Sequence, residues 1–151
     1  MSGPLMDYLA RRLRAAAESE VEHFGLRARH VVALTLLRDF GERPQADLAD
    51  MLQLDPSNVV GLLNELEAAG LAERRRSTQD RRRHTVALTA EGAARLAAVE
   101  EALVSVEHRV LSALDADQLA TLNILLHKAI GDIAAVTCAT DPGGDPTTVR
   151  R

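Results

Sequence analysis

The residues of this sequence with the clearest chemical capacity are six arginines in the ten-residue segment RRRSTQDRRR, Arg74–Arg83. They lie in a chain of 151 residues that has a formal net charge of −4 and a single lysine. The window from Glu73 to His84 carries a net charge of +4, so the remaining residues carry −8. Arginine binds phosphate through a planar, weakly hydrated guanidinium group. One concentrated basic segment in an acidic chain therefore predicts a single element that faces phosphate, with a merely solvated hairpin as the alternative.

No other set of residues indicates a reaction or a metal site. The single cysteine, Cys138, allows no internal disulfide, and its nearest cation, Lys128, is ten residues away, which disfavours a redox switch. The histidines lack zinc-site spacing, and we expect packed or exposed side chains at His23, His30, His84, His108 and His127. We find no nucleophile–base set and no phosphate-cradling glycine loop. The sequence therefore predicts a protein that is not an enzyme and uses no cofactor or metal.

The composition favours packed helices in a single domain. Apolar residues make up 46% of the chain but aromatic residues only 2%, so the core must consist mainly of Leu, Val and Ala. A chain of 151 residues is long enough to bury one substantial core. No apolar run approaches the roughly 18–20 residues of a membrane span, and the N-terminus does not resemble a signal peptide. We expect a soluble, cytoplasmic protein with no membrane partner.

Three helices are predicted in the first third of the chain. Apolar residues at steps of three and four predict an amphipathic helix from Leu5 to about Phe24. A second helix runs from His30 to Phe40 and ends before a glycine. The segment PQADLADMLQL is predicted to form a short third helix, with Pro44 at its first position.

The segment DPSNVVGLLNELEAAG is predicted to form a fourth helix with both ends marked. Asp55 suits the N-cap, Pro56 the first turn, and Gly70 the end of the helix. The residues spaced i, i+3, i+4, i+7 form an apolar face made of Val59, Leu62, Leu63 and Leu66. The opposite face carries Ser57, Asn58, Val60, Gly61 and Asn64.

The arginine segment itself is predicted to form a β-hairpin. The strands are LAERRR and RRHTVALT, and the polar turn between them is STQD. Thr89 then suits the N-cap of a long helix that runs to about Leu114. A capping-box-like start at Asp115 predicts a last helix, which continues through Ile133 and Val136.

The order helix, tight turn, helix, hairpin is that of a winged helix-turn-helix, so the predicted fold class is mainly α with a small β-hairpin. The second helix of such a unit can lie in the major groove of duplex DNA, while the hairpin, or wing, reaches toward the minor groove. Arginine suits the wing tip because a narrow minor groove has an enhanced negative potential. The pattern predicts double-stranded DNA as a partner. The alternative is a winged-helix module that binds protein without sequence-specific DNA binding.

Three strings of the chain resemble the MarR family of bacterial winged-helix transcriptional regulators. They are LAD at Leu48–Asp50, SNVVGLLNELEAAGL at Ser57–Leu71 and DRRRHTVALTAEG at Asp80–Gly92. The third string follows the family's D-R-R wing pattern that leads into L-T-x-x-G, and the resemblance extends over about residues 5–138. It implies a homodimer that binds a pseudo-palindromic operator, usually as a repressor, until a small-molecule effector or an oxidant lowers its affinity for DNA.

The same resemblance implies roles for individual residues. Arg82 would be the wing-tip arginine of the minor groove, and Asp80 the carboxylate that fixes its geometry. The groove-facing residues of the recognition helix would be Ser57, Asn58, Val60, Gly61 and Asn64. The DNA-binding residues of the wing would be Arg74, Arg75, Arg76, Asp80, Arg81, Arg82, Arg83 and His84. Gly61 stands where the family often has arginine, and Ser77 where it often has aspartate, so neither the guanine contact nor the turn geometry transfers directly.

Dimerisation also has a physical reason. The predicted division assigns residues 5–29 and 90–138 to dimerisation helices, 30–89 to the winged helix-turn-helix and 139–151 to a flexible tail. The dimerisation helices carry apolar stripes with too few partners in one small subunit. Pairing two chains would bury these stripes and place two recognition helices about one duplex turn, roughly 34 Å, apart. The family usually binds effectors between these helices and the DNA-binding part, but the sequence does not identify the residues or the ligand.

Overall fold

A computed structural model describes residues 1–131 of the chain. Along them the elements are α1 (Gly3–His23), α2 (Ala28–Phe40), β1 (Arg43–Pro44), α3 (Gln45–Leu52), α4 (Pro56–Ala68), β2 (Ala72–Arg76), β3 (His84–Leu88), α5 (Ala90–Val110) and α6 (Ala116–Ile130). Residues Met1–Ala113 form one compact unit, and a second unit that contains α6 begins at Leu114. No helix within residues 1–131 is long and apolar enough to cross a membrane.

The predicted N-caps are confirmed in three helices. The side chains of Asp55, Thr89 and Asp115 accept backbone N–H groups from the first turns of α4, α5 and α6. At α6 the bonding is reciprocal, because the side chain of Gln118 accepts the backbone N–H of Asp115. These caps satisfy backbone donors that a helix start otherwise leaves unpaired, so they mark the boundaries locally.

The core is aliphatic and centres on α4, whose predicted apolar face is buried to within 1% exposure: Val59, Leu62, Leu63 and Leu66. The remaining core side chains come from every other element of the first unit except β1, among them Leu34, Leu37, Leu48, Val86, Leu96 and Val99. Full burial of one such aliphatic side chain contributes about 1.5–3 kcal/mol. Because one face of α4 is held in this core, the opposite face is left to solvent.

The predicted two-stranded hairpin is part of a three-stranded antiparallel sheet in the order β1-β3-β2. Pro44, which we predicted inside the third helix, is instead the N-cap residue of α3. It is also the last residue of β1, where it pairs with Thr85 of β3. Proline has no N–H to donate and is tolerated in edge strands, which explains its place at the end of β1. This extra strand ties the chain before α3 to the base of the wing.

Other predicted boundaries also move. β3 begins at His84, so Arg82 and Arg83 lie in the wing loop rather than in the strand. α5 ends at Val110, because the chain turns through residues 111–114 before the cap of α6. α6 ends at Ile130, where Gly131 takes a positive φ of 75°. The following predictions lie outside the described residues: Ile133, Val136, Cys138 and the tail at residues 139–151.

Gly92, the glycine of the L-T-x-x-G string, lies where no side chain fits. A Cβ on Gly92 would be 2.0 Å from the carbonyl oxygen of Leu71 and 2.8 Å from Cδ1 of Leu88. Leu71 follows α4 and is fully buried, and its carbonyl accepts the backbone N–H of Thr89. Glycine therefore lets the first turn of α5 pack directly against the chain that leaves α4.

We expect Gly92→Ala to lower the free energy of unfolding by about 1–3 kcal/mol, because the new methyl group overlaps a buried backbone carbonyl. Gly61→Ala is the matched control, since a Cβ there meets nothing within 4 Å and the backbone is already helical. That control should raise the free energy of unfolding by roughly 0.5–1 kcal/mol. Urea unfolding of both variants measures this, and equal stabilisation by the two would contradict the packing described.

Candidate nucleic-acid interface

The outer face of α4 is open to solvent along its length. The predicted groove-facing residues are all exposed: Ser57, Asn58, Val60, Gly61 and Asn64. Val60 is 38% exposed, and the space beside Gly61 is empty to at least 4 Å. The major groove of B-DNA, about 12 Å wide, admits a helix with such a face. Geometrically, α4 is therefore free to enter a groove.

At the N-terminus of α4, the Asp55 carboxylate holds two of these residues. It accepts the backbone N–H groups of Ser57 and Asn58, each at 3.1 Å. It also accepts the Ser57 hydroxyl at 2.5 Å and Nδ2 of Asn58 at 2.6 Å. The hydrogen bond from the Ser57 hydroxyl is the main cause that lowers the pKa of Asp55. The cap thus orients both side chains and already engages their donor groups.

Arg74 is tied to α4 rather than extended into solvent. Its backbone N–H donates to Oε1 of Glu67 at 2.8 Å, and its Nε donates to Oε2 at 2.8 Å. Its Nη2 donates at 2.5 Å both to Oε2 of Glu67 and to Oδ1 of Asn64. The hydrogen bond from Arg74 is the main cause that lowers the pKa of Glu67. Arg74 and Asn64, both predicted to face DNA, are therefore bonded to each other.

The other five arginines of the segment differ in their electrostatic partners. Arg75 pairs with Glu73 and lies 3.7 Å from Glu42. Nε of Arg83 lies 3.7 Å from Oδ2 of Asp80. The exposed arginines of the segment that form no ion pair within residues 1–131 are Arg76, Arg81 and Arg82. In the described residues, these three guanidinium groups are the wing cations that can bind a ligand without breaking an ion pair. His84 is also exposed, and it lies opposite Arg76 in the hairpin.

The wing loop is held by its own side chains. The hydroxyl of Ser77 accepts the backbone N–H groups of Gln79 at 3.2 Å and Asp80 at 3.3 Å. Oδ1 of Asp80 accepts the backbone N–H of Arg82 at 3.0 Å, and the Asp80 carbonyl accepts that of Arg83 at 2.9 Å. Ser77 thus makes the turn bonds for which aspartate is common in such loops. Asp80 holds the backbone of Arg82, which leaves the guanidinium group of Arg82 projecting without an ion pair in the described part of the chain.

A second carboxylate of α4, Glu65, ties the helix to α2. Oε2 of Glu65 lies 2.6 Å from Nε2 of His30, and its Oε1 lies 3.3 Å from Nη2 of Arg29. His30 is only 6% exposed, and its Nδ1 accepts the backbone N–H of Arg27. Nε2 is therefore the nitrogen that carries the proton and donates to Glu65. This hydrogen bond from His30 is the main cause that lowers the pKa of Glu65.

The anchoring roles of Glu65 and Glu67 were missed in the sequence. A glutamate on the surface of an amphipathic helix gives no local sign of the strand or helix that it meets. His30 was expected to be packed or exposed, but its bond to α4 joins residues 35 positions apart and leaves no periodic pattern. Among the described residues, no group of three or more His, Cys, Asp or Glu side chains is arranged to hold a metal ion.

A surface groove of about 410 Å³ adjoins this second anchor. Its walls come from the end of α1, the turn into α2 and the second half of α4, and its lining residues are Glu22, Gly25, Leu26, Arg27, His30, Glu65, Leu66 and Ala69. It combines two carboxylates, an arginine and an aliphatic floor. A ligand in it would touch the bond between His30 and Glu65 directly.

Comparison with known proteins agrees with this geometry. The model of the MarR family matches residues 26–84, which run from the turn before α2 to the first residue of β3. The HTH-type transcriptional repressor NicR of Pseudomonas putida is 31% identical over 99 residues, which cover 66% of this chain and 63% of the repressor. The chain thus spans less than two thirds of the length of this relative.

Two solved structures share the fold. Wild-type MarR from E. coli in its apo form has a TM-score of 0.74 and 23% identity, covering 87% of this chain and 97% of that one. A point mutant of MepR from S. aureus, bound to an oligodeoxyribonucleotide, has a TM-score of 0.70 and 23% identity, covering 86% and 96%. The predicted fold class, a mainly helical winged helix-turn-helix, is confirmed.

The cap of α4 predicts a defined pH dependence. Because the folded state lowers the pKa of Asp55 below its unfolded value of about 3.9, the charged cap stabilises the fold above about pH 4. This contribution is lost as the pH falls through the lowered folded pKa. The difference in free energy of unfolding between wild type and Asp55→Asn should be constant from about pH 5 to 8 and shrink below about pH 4. Urea unfolding across this range measures it, and a difference unchanged down to about pH 2 would refute the cap's ionic role.

Proposed function

Since residues 26–84 match the model of the MarR family, we propose that the protein is a sequence-specific DNA-binding regulator of transcription. The main support is the distribution of charge in the structure. An acidic chain concentrates exposed arginines, three of them without an ion pair in the described residues, on the wing that follows an exposed helix face. The relative NicR is named as a transcriptional repressor, and the related MepR mutant is bound to an oligodeoxyribonucleotide.

In the proposed complex, α4 lies in the major groove and the wing reaches the adjacent minor groove. Asn58 and Ser57 approach base edges or phosphates from the N-terminal turn, and Val60 can contact a thymine methyl group. Gly61 contributes no side chain, so the helix backbone can approach the DNA closely there. Arg82 enters the minor groove, and the outer phosphate contacts come from Arg76, Arg81, Arg83 and His84.

We further propose that two chains form a homodimer on a pseudo-palindromic operator and repress transcription by blocking polymerase. The support is unpartnered apolar surface. Within the described part of the chain, α6 buries none of its residues. Its apolar side chains are therefore in solvent, and Ile124, Leu125 and Ile130 are each at least half exposed. α1 likewise exposes Leu5 and Tyr8. A second copy would cover such surfaces and match the two-fold symmetry of an inverted repeat. This role belongs to the cytoplasm, where bacterial DNA lies.

Release by a small-molecule effector is compatible with the groove between the end of α1 and α4. A ligand shifts an equilibrium only through different affinities for two states. Occupation of this groove would act on α4 through Glu65, whose bonds to α2 help to set the direction of the helix. The polar side chains in the lining favour a ligand with its own hydrogen-bonding groups.

The proposed function predicts salt-sensitive DNA binding that depends on Arg82. We expect Arg82→Ala to weaken binding to the DNA upstream of the protein's own coding region by about 1–3 kcal/mol and to reduce the salt slope by about one unit per subunit. Thermal stability should not change, because Arg82 forms no ion pair within residues 1–131. Fluorescence anisotropy at several salt concentrations, with scrambled competitor DNA, measures this.

Arg14→Ala is the matched control for this titration, because Arg14 is an exposed arginine of α1 outside the wing. It should retain the wild-type affinity and slope. The assignment of Arg82 is wrong if Arg82→Ala lowers thermal stability while affinity is unchanged. The regulator function itself is wrong if the wild-type protein shows no salt-sensitive DNA binding.

The dimer proposal predicts that charge on α6 dissociates the protein. Ile124→Asp combined with Leu125→Asp should convert the dimer to monomers, because burying unpaired carboxylates in an apolar interface costs several kcal/mol. Asn123→Asp, an exposed position in the same helix, is the control and should remain dimeric. Sedimentation velocity measures the mass of each. A dimer that persists in the double variant, or a monomeric wild type, would count against this interface.

A further inference from the structure

The contacts of Arg74 differ in kind from those of the other wing arginines. Three donors of Arg74, its backbone N–H, Nε and Nη2, converge on the two oxygens of Glu67. The side chains of Arg74 and Glu67 are only 24% and 31% exposed. Charge-assisted bonds with several donors on one carboxylate are stronger and more directional than an exposed surface pair. To extend its side chain toward a phosphate, Arg74 would have to break the bonds that Nε and Nη2 make to Glu67 and Asn64.

The register of the sheet explains why Arg74 is turned inward. Arg74 lies opposite Val86, which is fully buried, and directly opposed residues of an antiparallel pair share a face. Arg74 therefore projects from the face of the hairpin that packs on the core. Its neighbour Arg75 projects from the other face and is 56% exposed. Adjacent arginines of one strand thus have different surroundings and different roles.

The link between α4 and β2 is short and contains a glycine in the left-handed region. α4 ends at Ala68 and β2 begins at Ala72, and Gly70 between them has a φ of +71°. Glu67 and Asn64 are three residues apart, so they lie on one side of α4. Arg74 binds both, and it therefore joins the wing to α4 across nearly one helical turn. Such a contact resists both tilting and rotation of the wing against the helix.

We propose that Arg74 is a positioning residue, which with Glu67 and Asn64 forms a clamp that sets the angle between the wing and the recognition helix. The proposal rests on the proposed DNA-binding function. In the proposed DNA complex, the clamp places the guanidinium group of Arg82 at the minor groove while α4 occupies the major groove. A wing held at this angle before binding loses less conformational freedom on the DNA. Arg74 and Asn64 are accordingly removed from the set of residues that contact DNA.

The sign of the Glu67→Gln effect separates positioning from phosphate binding. If Arg74 bound phosphate, removal of the competing Glu67 carboxylate would leave DNA affinity unchanged or increase it. The clamp instead predicts that Glu67→Gln weakens binding about tenfold, because the amide cannot accept the same set of charged donors. Glu73→Gln is the matched control in β2, since Glu73 pairs only with the exposed Arg75 in the described residues. It should bind DNA as tightly as wild type or more tightly.

The salt slope and a conservative variant give independent readings. Arg74→Lys keeps the charge but loses the forked geometry, so the clamp predicts weak binding with the wild-type salt slope. Arg76→Gln should instead lower the slope by about one unit per subunit. Two results on affinity would refute the clamp: wild-type DNA affinity of Arg74→Lys, or wild-type DNA affinity of Glu67→Gln. A third would be a salt slope of DNA binding that Arg74→Gln lowers as much as Arg76→Gln does.

A measurement without DNA separates the clamp from the proposed function. Pulsed electron paramagnetic resonance measures the distance between two spin labels, one on the wing and one on α4. The labels would be attached to Gln79→Cys and Val60→Cys in a Cys138→Ser background. Dilution with unlabelled protein limits the signal to one subunit. Glu67→Gln should broaden this distance distribution and Glu73→Gln should not. Equal widths would overturn the clamp whether or not the protein binds DNA, whereas absence of DNA binding in the wild type would overturn only the function.

Discussion

The burial of one face of α4 is the constraint on which the rest of the structure depends. Val59, Leu62, Leu63 and Leu66 fill the centre of the core, and α2, α3, α5 and the sheet all contribute side chains around them. Because this face cannot turn outward without exposing the core, the opposite face must remain in solvent. The exposure of the α4 face that we propose to contact DNA is thus a consequence of hydrophobic packing, and it does not depend on polar contacts.

Polar anchors refine what this packing establishes. Glu65 ties α4 to α2 through His30, and Glu67 ties it to β2 through Arg74. The six arginines of the wing segment are therefore not equivalent. Arg74 is bonded inward, Arg75 is neutralised by neighbouring glutamates, and the readily available charge is concentrated around Arg82 at the loop.

Features that depend on neighbouring residues could be predicted from the sequence, whereas features that depend on distant pairing could not. The caps at Asp55 and Asp115 and the apolar face of α4 follow from spacing within one or two helical turns, and the structure confirms them. The strand formed by Arg43 and Pro44 depends on a partner more than 40 residues later, so no local pattern indicates it. The bond between Arg74 and Glu67 required the register of β2, which periodicity alone does not provide.

The most direct test of DNA reading by α4 and the wing is a footprint on DNA that the protein itself selects. Sequences bound from a random library would be aligned, and hydroxyl-radical cleavage of the best one would be mapped on both strands. We expect an inverted repeat with half-site centres about 10 base pairs apart and protection of the minor grooves that flank each half-site. Selection of no common sequence, or uniform protection along the duplex, would contradict the account.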